Sequence, residues 1–155
     1  MDKQMMTNLK QAISSVLETM FFLPVQIIED SGVWDNWSQQ KTKLWQVVVR
    51  FSGPVKGSFF LLVPINLAQE ITANFLGLDE GEVEKDQESD TVKEALNMIG
   101  GYVLSQVEKA DEFQLGIPEI VADDQVDLTN LAIESHNTIL IETEENHLAV
   151  GLHLD

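Results

Sequence analysis

The chain predicts an α+β domain: one six-stranded, mainly antiparallel sheet with helices packed on it, in which a helix followed by three strands is used twice. Two observations supply the strands. KLWQVVVRF (43–51) with VKGSFFLLV (55–63), and NTILIET (137–143) with HLAVGLHL (147–154), are β-branched and aromatic runs split by turn residues, so each pair reads as a hairpin. The third is order: a helical segment and a Pro-led short run, PVQIIED in one half and PEIVADD in the other, precede each hairpin. Chance likeness between two α+β segments is the alternative to a true repeat. At 155 residues the chain fits one domain, 1–155.

Each element has its own signal. Leu9, Ile13, Val16, Leu17 and Met20 follow helical spacing, and Pro24 cannot continue the helix, so a first helix is expected from Leu9 to Leu23. PVQIIED follows as a short strand. Gly32, Asp35, Asn36 and Ser38 then predict a loop whose Trp34 and Trp37 cover the core edge. After the first hairpin, INLAQEITANFLG places Leu67, Ile71 and Phe75 on one helical face, with Gly77 as C-cap. DEGEVEKDQESD reads as a solvated acidic linker whose end supplies the first turn of the next helix, where acids favour the macrodipole. Beyond Lys109, IPEIVADD predicts a strand entered through Pro118, then a polar connection through Asn130 and the second hairpin.

Composition narrows the function. A formal charge of −17, with nine Lys and Arg scattered along the chain, disfavours nucleic acid. The acids gather at Asp79 to Asp90 and Asp123 to Asp127, which suits a basic or metal-loaded partner. With no cysteine, disulfides, thiol catalysis and zinc–thiolate sites are excluded. The first residues lack the basic-then-apolar order of a signal peptide, and the longest apolar run, Met20 to Val25, is too short to cross a bilayer. A soluble, cytoplasmic protein without membrane insertion is expected. His136, His147 and His153 share no ligand spacing, so no metal site is expected on this chain. Neither a phosphate loop nor a nucleophile elbow is present.

The unusual segment is DTVKEALNMIGGYVLSQVEK, starting at Asp90. At about 100° per residue, with Glu94 at zero, Val92, Leu96, Ile99, Val103 and Val107 fall in one arc opposite it. Asp90, Asn97, Gly101, Ser105 and Glu108 share the face of Glu94. Gly100 and Gly101 together cost this helix about 1–2 kcal/mol relative to alanine. Gly101 lies one turn beyond Asn97, where a missing side chain lets another surface come close, and Gly100 sits at the flank, against a neighbouring helix. A helix broken at Gly100 and restarted at Tyr102 is the alternative. Glu94 and Asn97, at i and i+3, offer an acceptor for a lysine and an amide that can orient a water.

The pattern Asp90-x-x-x-Glu94-x-x-Asn97, then Gly100-Gly101 and Pro118, resembles the active-site pattern of the chemotaxis phosphatase family CheC, CheX and FliY, and the order of elements is similar over nearly the whole chain. The resemblance implies a phosphatase acting on the aspartyl phosphate of a CheY-like response regulator. Glu94 would pair with a regulator lysine and Asn97 would position the attacking water, while Asp90, Gly100 and Gly101 would serve docking. No cofactor would be bound by this chain, and the Mg²⁺ would belong to the regulator. The motif can occur twice in CheC-like members, but Ser14-x-x-x-Glu18-x-x-Phe21 puts phenylalanine where the amide belongs, so one site is expected, as in the CheX-like branch. Phe21 and Phe22 then read as core or interface. That branch is typically dimeric, which implies a homodimer, with the final hairpin as one edge that could pair. Two other readings stay open: a docking module or flagellar-switch-type adaptor without catalysis, and an unrelated acidic domain in which Glu94 and Asn97 are incidental.

Overall fold

In the computed structural model, which describes residues 2–121, 126–131 and 133–155, every strand pairing is antiparallel. The elements run α1 (Asp2–Met20), β1 (Gln26–Ile28), α2 (Ser31–Ser38), β2 (Lys43–Ser52), β3 (Gly57–Pro64), α3 (Ile65–Leu76) and α4 (Lys85–Ser105). After them come β4 (Gln114–Leu115), β5 (Glu119–Ile120), β6 (Val126–Asp127), β7 (Thr138–Glu142) and β8 (His147–Leu154). Among the described residues the sheet has eight strands rather than the six expected, in the order β1-β7-β8-β3-β2-β4, with β5 and β6 also on β2. Lengths explain the difference. β4, β5 and β6 are two-residue pieces laid along one ten-residue strand, so six lateral positions are filled. Residues 122–124 of the expected second Pro-led strand, including Asp123 and Asp124 of the acidic group, lie outside the described residues.

The expected repeat is present. Swapping the halves exchanges β3 with β8, β2 with β7, and β1 with the β4–β6 pieces, and the sheet order maps onto itself about an axis between β3 and β8. Each half sends its first strand to pair with the second strand of the other half. The hairpin β7–β8 is therefore central, with β1 on one side and β3 on the other, which corrects the expectation that it offers a free edge. Pairing with a second copy would have to use β1 or the β4–β6 side.

Period-two alternation divides the core between the two faces of the sheet. Trp45, Val47, Val49 and Phe51 of β2, Phe59, Leu61 and Val63 of β3, and Val150 and Leu152 of β8 join α1, α3 and α4 in the main core. Leu44, Leu62, Leu140 and Ala149 point the other way and pack with Trp37 and Leu128. The expected loop at 31–38 is thus a helix, α2, covering the second face. Asp30 caps it, its Oδ1 accepting the Gly32 and Val33 N–H groups at 2.8 and 3.2 Å. Trp34 packs edge-on against the buried Trp37, and that burial outweighs the poor helix propensity of Gly32, Asp35 and Asn36.

Helix α1 is displaced from the expected span, starting at Asp2 and ending at Met20. The chain closes it with Leu23 N–H on Leu17 O at 3.0 Å and Phe22 in the left-handed region at φ 54°, so it stops before Pro24 is reached. Phe21 turns fully inward onto Phe75, while Phe22 is exposed. The acidic linker is also more ordered than expected: Glu80–Glu82 form a 3-10 turn, and α4 already begins at Lys85. Gln87 Oε1 accepts the Glu84 N–H at 2.9 Å there, which satisfies one of the groups outside the helix ladder.

Candidate functional site

Helix α4 runs unbroken through Gly100 and Gly101, so the alternative of a break is set aside. Its apolar stripe is as read from the wheel for Val92, Leu96, Ile99 and Val103, and Val107, past the helix end at Ser105, is buried too. The helix is also pinned by a contact the sequence reading missed. Glu88, buried at 6 %, accepts the indole N–H of Trp45 on β2 at 3.2 Å, within the first turns of α4. A charged-looking linker residue is thereby a tether between helix and sheet, and only the fold reveals its partner, 43 positions away in sequence.

The opposite face carries the candidate residues. Asp90 and Glu94 are exposed and Asn97 is half-buried, all on successive turns. Asp90 Oδ1 lies 3.6 Å from Lys93 Nζ, an exposed i, i+3 pair of small energetic weight. Among the described residues, no hydrogen bond or ion pair engages the side chain of Glu94 or of Asn97. Side chains three apart on a helix stand about 5–6 Å from one another at Cβ, so one partner group can reach both.

The two glycines separate in role. A Cβ at Gly101 would meet nothing within 4 Å, so this position is open to an approaching surface. Gly100 is buried, and a Cβ there would lie 3.1 Å from Phe59 Cδ2 and 3.3 Å from Leu115 Cδ1. It lets α4 settle on β3 and β4, not on a neighbouring helix, and it has almost no surface to offer a partner. Of the residues expected to dock a partner, Asp90 and Gly101 are exposed and Gly100 is not.

Asp90, Lys93, Glu94 and Asn97 line a shallow depression of ≈ 430 Å³ whose other wall is Gly116, Ile117 and Pro118. Pro118 is thus brought against the helix face, and Ile117 is a member the sequence reading did not single out. A larger depression of ≈ 650 Å³ lies elsewhere, between α1, β1 and α2, with Lys3, Lys10, Trp34 and His136 on its walls. It contains none of the motif residues. The counterpart of Asn97 in the first half is Phe21, just past the end of α1 and fully buried, so that half offers no second amide. Among the described residues, no group of three or more His, Asp or Glu is placed to hold a metal. His136 instead approaches Glu134 at 3.1 Å, and His147 approaches Glu142 at 3.4 Å.

The family model of the chemotaxis phosphatase CheX matches residues 45–142, a span that holds α4 and the Gly116–Pro118 wall. The chain belongs to the CheX family. No curated protein matches it. Among solved structures, the CheX proteins of Vibrio vulnificus and of Desulfovibrio desulfuricans superpose with TM-scores of 0.74 and 0.70 at 15 % and 18 % identity. The first alignment covers 97 % of this chain and 96 % of the other, and the second 97 % and 99 %. The chain is also similar, at 17 % identity, TM-score 0.67 and 96 % coverage of both chains, to a chain of the CheX–CheY–BeF3–Mg²⁺ complex of Borrelia burgdorferi. At such identities the superpositions establish a shared CheX fold. Among the described residues, no helix is long and apolar enough to cross a membrane.

Proposed function

We propose that this CheX-family chain accelerates hydrolysis of the aspartyl phosphate on a CheY-like response regulator. The observation that carries the reading is the placement of Glu94 and Asn97, unpartnered and on one face of an unbroken α4, beside the side-chain-free Gly101. The family match and the fold shared with a CheX seen in complex with CheY support it.

An acyl phosphate has a good leaving group, so a helper protein needs no nucleophile of its own. In the proposed reaction a water oxygen bonds to phosphorus and the bond from phosphorus to the aspartyl oxygen breaks, giving inorganic phosphate and the free carboxylate. Asn97 can hold that water through its amide, which both donates and accepts. The gain is one of position: the water is held in line with the bond that breaks. Glu94 pairs with a lysine of the regulator, fixing the helix over the phosphoryl group. Mg²⁺, which offsets charge on the phosphoryl oxygens, is carried by the regulator in this reading.

The test is decay of a phosphorylated CheY-like receiver domain with and without this protein at matched Mg²⁺. Faster loss of phosphate is expected in its presence. Binding of the receiver without any change in decay would instead make the chain a docking module, and absence of both would remove the regulator as partner.

A further inference from the structure

The wall facing Glu94 and Asn97 is built by a slip in strand register. Leu115 is opposite Phe51, while Ile120 is opposite Val47, so a step of five residues on this side spans four on β2. The extra residue falls within the Gly116–Pro118 segment, which makes it a β-bulge, a device that re-aims side chains and is common beside functional sites. Gly116 anchors the segment by donating its N–H to Arg50 O at 2.7 Å. Pro118 stiffens it on the other side. Between these two fixed points Ile117 stands 84 % exposed, the most exposed of the large apolar residues described. Beyond it exposure alternates: Pro118 and Ile120 are half-buried, whereas Glu119 and Val121 face outward.

A bulge that turns an isoleucine into water gives the isolated chain nothing, because the side chain packs on little of its own fold. We infer that Ile117 is an apolar docking contact, packing against the receiver domain that presents its aspartyl phosphate to Asn97. The occupant follows from place: Ile117, Glu94 and Asn97 line one depression, so any protein that brings a phosphoryl group to the pair must cover the isoleucine. This inference rests on the proposed function and adds the contact that holds the partner.

The test uses the receiver loaded with Mg²⁺ and beryllium fluoride, a stable mimic of the phosphorylated state. Ile117→Ala is expected to weaken binding about tenfold, Ile117→Asp more strongly, and Ile117→Leu by no more than about threefold. Because the side chain is exposed, all three variants should melt with the wild type. The loss should hold across ionic strength, unlike that from changing Glu94, which salt screens. With phosphorylated receiver, Ile117→Ala should raise KM and leave kcat unchanged. Hydrogen exchange at the Ile117 amide should slow in the complex. Wild-type affinity in both the alanine and aspartate variants, or an Ile117 amide left unprotected in a formed complex, overturns the inference. Binding that depends on Ile117 with no phosphate release by the wild type would refute the catalytic reading alone, and no binding by the wild type overturns both.

Discussion

Replacing Gly101 by alanine separates the two uses of the glycine pair. Gly101 is exposed inside α4 (Lys85–Ser105), and an added Cβ meets nothing within 4 Å. The substitution therefore recovers helix propensity alone, about 0.5–1 kcal/mol. For a domain of this size that raises Tm by roughly 1–4 °C. Gly100 receives the same propensity gain, but its Cβ would press on Phe59 Cδ2 at 3.1 Å and Leu115 Cδ1 at 3.3 Å. Overpacking of that kind costs about 1–3 kcal/mol, so Gly100→Ala should melt at or below the wild type. Thermal unfolding followed by circular dichroism compares the three proteins directly. Binding then adds the functional half: Gly101→Ala should bind the receiver more weakly, and Gly101→Leu should hardly bind, because each fills the gap beside Asn97. A Gly101→Ala variant less stable than the wild type would refute the geometry of α4. Unchanged binding in Gly101→Leu would show that the gap does not serve the partner.

Three further outcomes are expected. Glu94→Lys reverses the pairing charge and should weaken receiver binding about tenfold at low salt, less as salt is added; a salt-independent loss would point to a steric cause. Trp45→Phe leaves the buried Glu88 carboxylate without its indole donor and should cost about 1–3 kcal/mol, whereas Glu88→Gln keeps an acceptor there and should cost less; urea unfolding measures both, and equal losses would deny the tether. Glu70 has its pKa raised, chiefly by burial and then by Glu80, Glu145 and Glu144. A raised carboxyl favours the folded state at low pH and loses that contribution as pH rises through its folded value. Glu70→Gln should therefore increase Tm at pH 7, with the gain closing below the ordinary glutamate range; a gain that persists at pH 3 would rule out titration of Glu70 as its source.

The segments that were legible are those whose environment is set locally. The stripe from Val92 to Val103 and the exposed face bearing Asp90, Glu94, Asn97 and Gly101 follow from helical periodicity, and both hairpins follow from alternation and turn residues. What escaped depends on distant partners. Helix α2 reads as a loop because Gly32, Asp35 and Asn36 are poor helix formers, and burial of Trp37 on the second face of the sheet, with the Asp30 cap, stabilises it. Glu88 looks like one more linker acid until β2 brings Trp45 to it. Ile117 gives no signal at all, since the bulge that exposes it is a mismatch between its own strand and β2. The resemblance implies docking for Gly100 and the wheel places it at the flank of the helix, but neither reveals how close β3 lies beneath it.

The most direct measurement of the central claim is the decay of a phosphorylated CheY-like receiver with wild type and with Asn97→Ala, each at a concentration that saturates binding. Asn97 is half-buried with no internal partner, so its truncation leaves the fold in place. Receiver affinity is expected within about threefold of wild type and the stimulated rate lower on the order of 100-fold, the cost of a misplaced water. Dephosphorylation at the wild-type rate by Asn97→Ala would contradict it.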